Sequence, residues 1–288
     1  MKAPAFDYAK PRSLREVFDL LATWGDEARV LAGGQTLLAT LNMRLSEPAM
    51  LIDINGIDEL KGISVQQAAG GEVLRIGALA THSEIEASEL VVRHAPLLAM
   101  AAPHIAHRAI RNLGTWGGSI AYADPAAEWP TCLAALEGVV VLRSARGERR
   151  VAAQDFFIDL YTTALAEGEV VTACELPLCQ SDDRFVFDEL ARRHGDYAIV
   201  GLALAARRGR VRLAFLGIGT TPVRALVAEA VLEGQALTPA LIDRAIEALQ
   251  AELNPLADLT NSSATKRHLA CVLTRRALTA ILPSTPAA

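Results

Sequence analysis

The feature that most constrains this chain is Val30-Leu31-Ala32-Gly33-Gly34-Gln35-Thr36-Leu37-Leu38, which reads as a strand end, a glycine turn and a helix start. Two adjacent glycines let the main chain approach a ligand with no Cβ in the way. The amides of Gly34, Gln35 and Thr36 can then point at an anion, aided by the positive end of the following helix. One such loop describes an ordinary strand-to-helix turn equally well. A second, Gly114-Thr115-Trp116-Gly117-Gly118-Ser119, narrows the reading. Two glycine loops on one chain suit a ligand with two phosphates, held by amides from both sides, with Thr36, Thr115 and Ser119 adding hydroxyl donors. Neither loop has the spacing GxGxxG, and neither is followed by Lys-Ser or Lys-Thr, so the two common nucleotide fingerprints do not apply.

The surrounding pattern sets these loops in an α+β chain. Ser13-Leu14-Arg15-Glu16 is a capping box ahead of an amphipathic helix that ends near Gly25. Residues 28–31 form a strand, 36–41 a helix and 50–54 an apolar strand, which together make a small βαβ-type unit with the first loop at its strand-to-helix junction. A hairpin follows through Gly70-Gly71, and Thr81-His82-Ser83-Glu84 is a second capping box. Residues 126–136 read as a helix, 139–142 and 149–152 as a hairpin about Gly147, and 170–176 as a strand stopped by Pro177. A polar connector at 179–183 places a domain boundary there. Beyond it, 185–191, 198–206 and 211–218 read as a three-stranded antiparallel meander. Two helices follow, one set by Thr238 and Pro239, the other from about Ala264 to Ile281, with a loose tail after Pro283.

Several functions are excluded or weakened by what is missing. The net charge is −5 and no basic patch carries interleaved aromatics, which argues against nucleic-acid binding; Arg207-Arg208-Gly209-Arg210 reads as a hairpin tip. The start of the chain has no apolar segment of the secretory kind, and no apolar run is long enough to span a membrane, so a cytoplasmic location is expected. Cys132, Cys174, Cys179 and Cys271 form no CxxC pair, and no metal site is expected on this chain. His104 and His107 lie three apart on a helical segment, without a third ligand at a recognisable spacing. Gly117-Gly118-Ser119-Ile120-Ala121 falls one residue short of a GxSxG nucleophile elbow, so a serine hydrolase using Ser119 is a remote alternative. Asp124 would repel a phosphate; it suits a ribose or ribityl hydroxyl, or the N-cap of a helix ahead of Pro125, or both. Trp116 is either a core aromatic or a wall of the ligand site.

The residues quoted so far, with Met43-Arg44-Leu45, Leu51-Ile52-Asp53-Ile54, Ile110-Arg111-Asn112-Leu113, Ala123-Asp124-Pro125, Asp155-Phe156-Phe157 with Thr162-Thr163, Glu175-Leu176-Pro177 and Arg192-Arg193-His194-Gly195-Asp196-Tyr197-Ala198, resemble the FAD-binding medium subunit of the molybdenum hydroxylase family. That family includes aerobic carbon monoxide dehydrogenase, the N-heterocycle dehydrogenases and the flavin domain of xanthine dehydrogenase. The resemblance covers nearly the whole chain.

The resemblance implies a two-part α/β FAD-binding domain of the vanillyl-alcohol-oxidase-like (PCMH) type over 1–177, with parts of about 1–55 and 56–177. A C-terminal domain of antiparallel sheet and helices would occupy 178–288. Ala32, Gly33, Gly34, Gln35, Thr36 and Leu37, with Gly114, Thr115, Trp116, Gly117, Gly118 and Ser119, would wrap the FAD pyrophosphate. Asp124 would hold a sugar or ribityl hydroxyl, and Glu128 would help at the adenosine end or behind it. Asp196 and Tyr197 would stand in a mobile loop beside the isoalloxazine, with Val171 and Ile105 as looser apolar contacts. Trp116 replaces the family's usual Ile, and a large ring there could shield the flavin or alter acceptor access. In this family substrate is oxidised at molybdopterin on a large subunit, and electrons cross [2Fe–2S] clusters on a small subunit to FAD, then leave for quinone, NAD or another external acceptor. A dimer of heterotrimers is implied, and no catalytic residue is expected on this chain. A stand-alone FAD oxidoreductase and a flavin-free interaction subunit are the alternatives.

Overall fold

In the computed structural model, residues 2–68 and 70–283 are described; Met1, Ala69 and the tail expected beyond Pro283 lie outside them. The first part is a parallel three-stranded sheet in which Met50–Asp53 lies between Asp7–Ala9 and Ala28–Leu31. The strand at Asp7–Ala9 is too short to carry a periodic pattern, and the sequence reading missed it. The helix Leu14–Trp24 covers this sheet, with the Ser13 side chain accepting from Glu16 N at 3.3 Å. Leu14, Val17, Ile52, Ile54 and Leu60 form a small core of their own beneath it.

The second part is a five-stranded antiparallel sheet ordered Ile63–Ala68, Gly71–Gly77, Val170–Pro177, Val139–Ser144, Gly147–Ala152. Its middle strand, Val170–Pro177, is buried along nearly its whole length, as a strand with neighbours on both edges must be. Short helices from His82 to Ala135 pack on one side of it. The helix expected over 126–136 starts later, at Glu128.

The C-terminal sheet has four strands where three were expected: Arg184–Leu190, Val200–Arg207, Arg210–Leu216 and the two-residue strand Val223–Arg224. Two residues cannot show an alternation, so the fourth strand left no signature. A third helix, Leu226–Leu232, precedes the two that were expected, Pro239–Glu252 and Ser263–Ala280. The alternation of the central strands decides how the parts join. Leu202, Leu204, Leu213 and Phe215 face these helices, while Ala203, Ala205, Ala214 and Leu216 share a core with Trp116, Trp129 and Cys132. One face of the C-terminal sheet therefore completes the core of the preceding part. Among the described residues no helix is long and apolar enough to cross a membrane.

Candidate functional site

The two glycine loops meet. A Cβ built on Gly33 would lie 2.1 Å from the Leu113 carbonyl oxygen and 2.9 Å from Gly114 Cα. Backbone thus packs on backbone, and the second loop by itself requires glycine at 33. Gly34 has φ +71°, a left-handed conformation in which glycine is unstrained. Asn55 braces the first loop from below: its Nδ2 donates to the Ala32 carbonyl at 2.8 Å and to Asp53 Oδ1 at 2.7 Å. Burial pushes the Asp53 carboxyl up, but the Tyr8 hydroxyl and Lys10 on its other side, together with the two Asn55 bonds, hold it below its usual range.

The loops differ in what they offer an anion. The amides of Gly34, Gln35 and Thr36 have no hydrogen-bond acceptor among the described residues. In the second loop every amide but that of Thr115 is engaged. Trp116 N donates to Ala80 O and Gly117 N to Ala78 O, each at 2.8 Å; Ser119 N donates to Thr115 O at 3.1 Å. Gly118 N donates to Thr115 Oγ1 at 3.2 Å, so Thr115 caps the helix Trp116–Tyr122. The expectation of matched amide clamps is corrected accordingly. Loop one supplies three amides; loop two supplies the amide of Thr115 and the hydroxyls of Thr115 and Ser119 on a backbone stapled to residues 78–82. Gly117 is needed for that staple, since a Cβ there would sit 2.4 Å from Ala78 Cβ. Leu37 opens the helix Leu37–Asn42, with Thr36 at its cap position making no side-chain cap bond.

Three residues the sequence reading passed over hold the second loop in place. His82 N donates to Gly114 O at 3.0 Å. The His82 ring lies under the same glycine, 2.7 Å from where a Cβ would be. Its Nδ1 accepts from Trp129 Nε1 at 2.8 Å. Burial, then the nearby Arg111 charge, lowers the imidazole to about 4, so the ring is neutral. Arg111 in turn pairs with Glu86 at 2.9 Å and donates to Ile105 O at 3.1 Å. The capping box at Thr81 was the available signal; nothing local pointed to Trp129.

Trp116 is a correction. Its ring is fully buried, 5.3 Å from the Trp129 ring, so it fills the core and shields no ligand. Ile105 and Val171 are also buried core positions, the latter beside a β-bulge. Ser119 sits inside the helix Trp116–Tyr122, not on a strand-to-helix elbow, which removes the hydrolase geometry. His104 lies in a 3₁₀ turn 3.5 Å from Glu189, while His107 precedes the next helix. Among the described residues no group of three His, Cys, Asp or Glu is placed to hold a metal ion.

Asp124 does not cap the helix; Ala127 occupies that position. Instead Asp124 Oδ1 accepts from Ala126 N at 2.9 Å and shapes a turn, which Gly217 N secures by donating to Pro125 O at 2.9 Å. The aromatic rings of Tyr122 and Tyr161 stand 4.9 Å apart beside it. Tyr197, 71 % exposed, reaches toward this cluster from the loop after the strand Arg184–Leu190. Its phenol is raised by desolvation of the hydroxyl end first, then by the Asp124 carboxylate. Asp196 is exposed beside it, its amide donating to Arg193 O at 3.2 Å. The structure thus brings the two loops together, and Tyr197 to Asp124. Free amides in a glycine cradle, hydroxyls opposite and a carboxylate with aromatic rings beyond are the donor set a dinucleotide needs.

Known proteins resemble this chain over nearly its whole length. Residues 4–179 match the family model described as FAD binding domain in molybdopterin dehydrogenase, and residues 185–281 match CO dehydrogenase flavoprotein C-terminal domain. The nicotine 6-hydroxylase medium subunit of Paenarthrobacter nicotinovorans is 37 % identical over 96 % of this chain and 98 % of its own. Among solved structures, carbon monoxide dehydrogenase from Hydrogenophaga pseudoflava lacking the Mo-pyranopterin moiety superposes with a TM-score of 0.92 at 36 % identity, covering 97 % of this chain and 98 % of that one. Quinoline 2-oxidoreductase from Pseudomonas putida 86 gives 0.89 at 37 % identity, over 97 % and 98 %.

Proposed function

The chain belongs to the FAD-binding medium subunits of the molybdenum hydroxylases, an oxidoreductase flavoprotein family, and from that premise we propose that its own work is to hold FAD between two partner subunits and an external acceptor. The observation that carries this is the set of open amides at Gly34, Gln35 and Thr36, set against a second loop that meets the first in backbone contact. FAD held by these residues would supply the one- and two-electron transfer chemistry. The chain supplies position. The three amides and Thr36 hold the pyrophosphate, with the hydroxyls of Thr115 and Ser119 across from them. Asp124 accepts from a ribityl or sugar hydroxyl, and Glu128 stands behind it. Tyr197, with Asp196, closes the ring end.

The partners in this reading are a small [2Fe–2S] subunit that delivers electrons and a large molybdopterin subunit that oxidises the substrate, as a dimer of heterotrimers. The names of the relatives support the subunit role: among them is the carbon monoxide dehydrogenase medium chain of Hydrogenophaga pseudoflava. We place the division of the chain at 1–177 and 178–288, and the protein in the cytoplasm. A spectrum tests the central claim. The purified chain, supplied with FAD, should show flavin bands near roughly 450 nm that survive gel filtration. Absence of those bands before and after reconstitution sinks the reading. Co-purification with an iron–sulfur and a molybdenum chain separates a subunit from a stand-alone oxidoreductase.

A further inference from the structure

His107 and Gly195 bring two distant segments into contact beside the dinucleotide site. The loop of residues 191–198 carries Tyr197 and follows the strand Arg184–Leu190. Its backbone is closed by Ile199 N donating to Leu190 O at 2.7 Å and by Asp196 N donating to Arg193 O at 3.2 Å. Bonds with both ends in or beside the loop set its shape and leave its direction open. Contact with the rest of the chain sets the direction. A Cβ built on Gly195 would lie 2.3 Å from His107 Cε1 and 2.7 Å from each of its ring nitrogens. Those lengths put it over the face of the imidazole, since an approach to the ring edge at Cε1 would leave both nitrogens farther away. Gly195 therefore rests flat on the His107 ring, and its φ of +87° is a left-handed conformation that glycine takes without strain.

The ring is aimed from its own side. Ala106 is held at φ +42°, in the left-handed region that residues with a side chain rarely occupy. The buried Arg111 guanidinium pins this turn, donating to Ile105 O at 3.1 Å and to Ala106 O at 3.4 Å. His107 O accepts from Ile110 N at 2.8 Å and from Arg111 N at 3.1 Å, which starts the helix Arg108–Arg111 leading into the second glycine loop. Ala106 and Ala198 both pack against the main core, one beside His107 and the other beside Tyr197. His194 stands on the loop with its ring 6.1 Å from that of His107. One residue thus serves both ends of the site: its main chain begins the segment leading to Gly114, and its ring carries the loop of Tyr197.

We propose that His107 is a positioning residue for Tyr197, its ring serving as the seat that directs the loop of residues 191–198 toward Asp124 and keeps it in register with the second glycine loop. The contact is steric, so it needs a flat ring rather than an imidazole. Arg192 and Arg193 are exposed on the same loop and report its order, because trypsin cuts after either one faster when the loop leaves its seat. The link to the cofactor rests on the reading that Tyr197 borders the flavin; the cleavage measurement does not.

The test uses the full chain in limited trypsin digestion, with fragments mapped by mass, and in FAD titration followed by flavin fluorescence. His107→Ala should speed cleavage at Arg192 and Arg193 about tenfold and raise the FAD dissociation constant about fivefold, with an unchanged urea midpoint. His107→Phe keeps a flat ring and should stay within about twofold of wild type in both. Gly195→Ala should also loosen the loop, and adding His107→Ala should make it no worse, since the new methyl then has no ring to strike. In a Tyr197→Ala chain, His107→Ala should weaken FAD binding no further. Cleavage unchanged in His107→Ala, or faster only together with a lowered urea midpoint, overturns the seat. Faster cleavage at unchanged FAD affinity, or a further loss of affinity in the Tyr197→Ala chain, keeps the seat and overturns its action on the flavin through Tyr197. A wild-type chain that takes up no FAD leaves the cleavage result standing and overturns the reading on which the link rests.

Discussion

The Trp129 indole N–H donates to His82 Nδ1 across 2.8 Å, and this bond decides which nitrogen of the imidazole carries its proton. With Nδ1 accepting, the neutral ring holds its hydrogen on Nε2, the edge turned toward Gly114. The second loop therefore rests on a histidine whose tautomer is fixed by a residue from a different helix. Trp129→Phe keeps most of the packing but leaves Nδ1 buried and unpaired. The expected cost is about 1–3 kcal/mol in urea unfolding, with weaker FAD retention. A Trp129→Phe chain as stable as the wild type would show that the bond contributes nothing.

Gly33→Ala should be far more damaging than its size suggests. The added Cβ would lie 2.1 Å from Leu113 O, a backbone atom that cannot rotate away. Gly62→Ala is the control: its φ is +86° and nothing lies within 4 Å of the new methyl. That variant should cost about 1–2 kcal/mol from backbone strain alone and retain FAD. Gly33→Ala should lose FAD and fall well below the control in Tm. Equal behaviour of the two variants would remove loop-to-loop packing as the reason for Gly33.

What the sequence disclosed, and what it hid, divides along contact range. The two loops, their order and their distance from Asp124 are carried by consecutive residues, so composition and spacing reveal them. The partner of Gly33 is a carbonyl at Leu113, and no local pattern announces it. The engaged amides of Trp116 and Gly117 were hidden for the same reason: their acceptors, Ala80 and Ala78, belong to another segment. Trp116 was read against a family habit of Ile, and only the position of Trp129 and Cys174 shows that the ring has a core to enter.

Trp116→Ile gives a clean separation of core from cofactor. The ring is fully buried against Trp129, and its Nε1 has no oxygen or nitrogen partner among the described residues. Replacement leaves a cavity and should cost about 1–3 kcal/mol, toward the lower side of what large-to-small core changes produce. Once folded, the variant should bind FAD and reduce the same acceptors at unchanged relative rates. A stable Trp116→Ile protein with an altered acceptor preference would restore the view that the indole guards the flavin.

The last prediction combines His82 and Glu128, whose shifts oppose each other. His82 titrates at about 4 in the fold against an ordinary 6.5, so between these values the unfolded chain binds the extra proton and stability rises with pH. Glu128 titrates at about 8 against an ordinary 4.5, so over that span the folded chain binds the extra proton and stability falls with pH. From 4.5 to 6.5 the two slopes have equal size and opposite sign, and their sum is close to zero. From 6.5 to about 8 the histidine is neutral in both states and Glu128 acts alone. Urea unfolding should therefore show stability declining by about 1.4 kcal/mol per pH unit across this upper window. Glu128→Gln should flatten that decline while uncovering, below 6.5, the rise due to His82. A decline that persists in Glu128→Gln would assign the upper window to some other group.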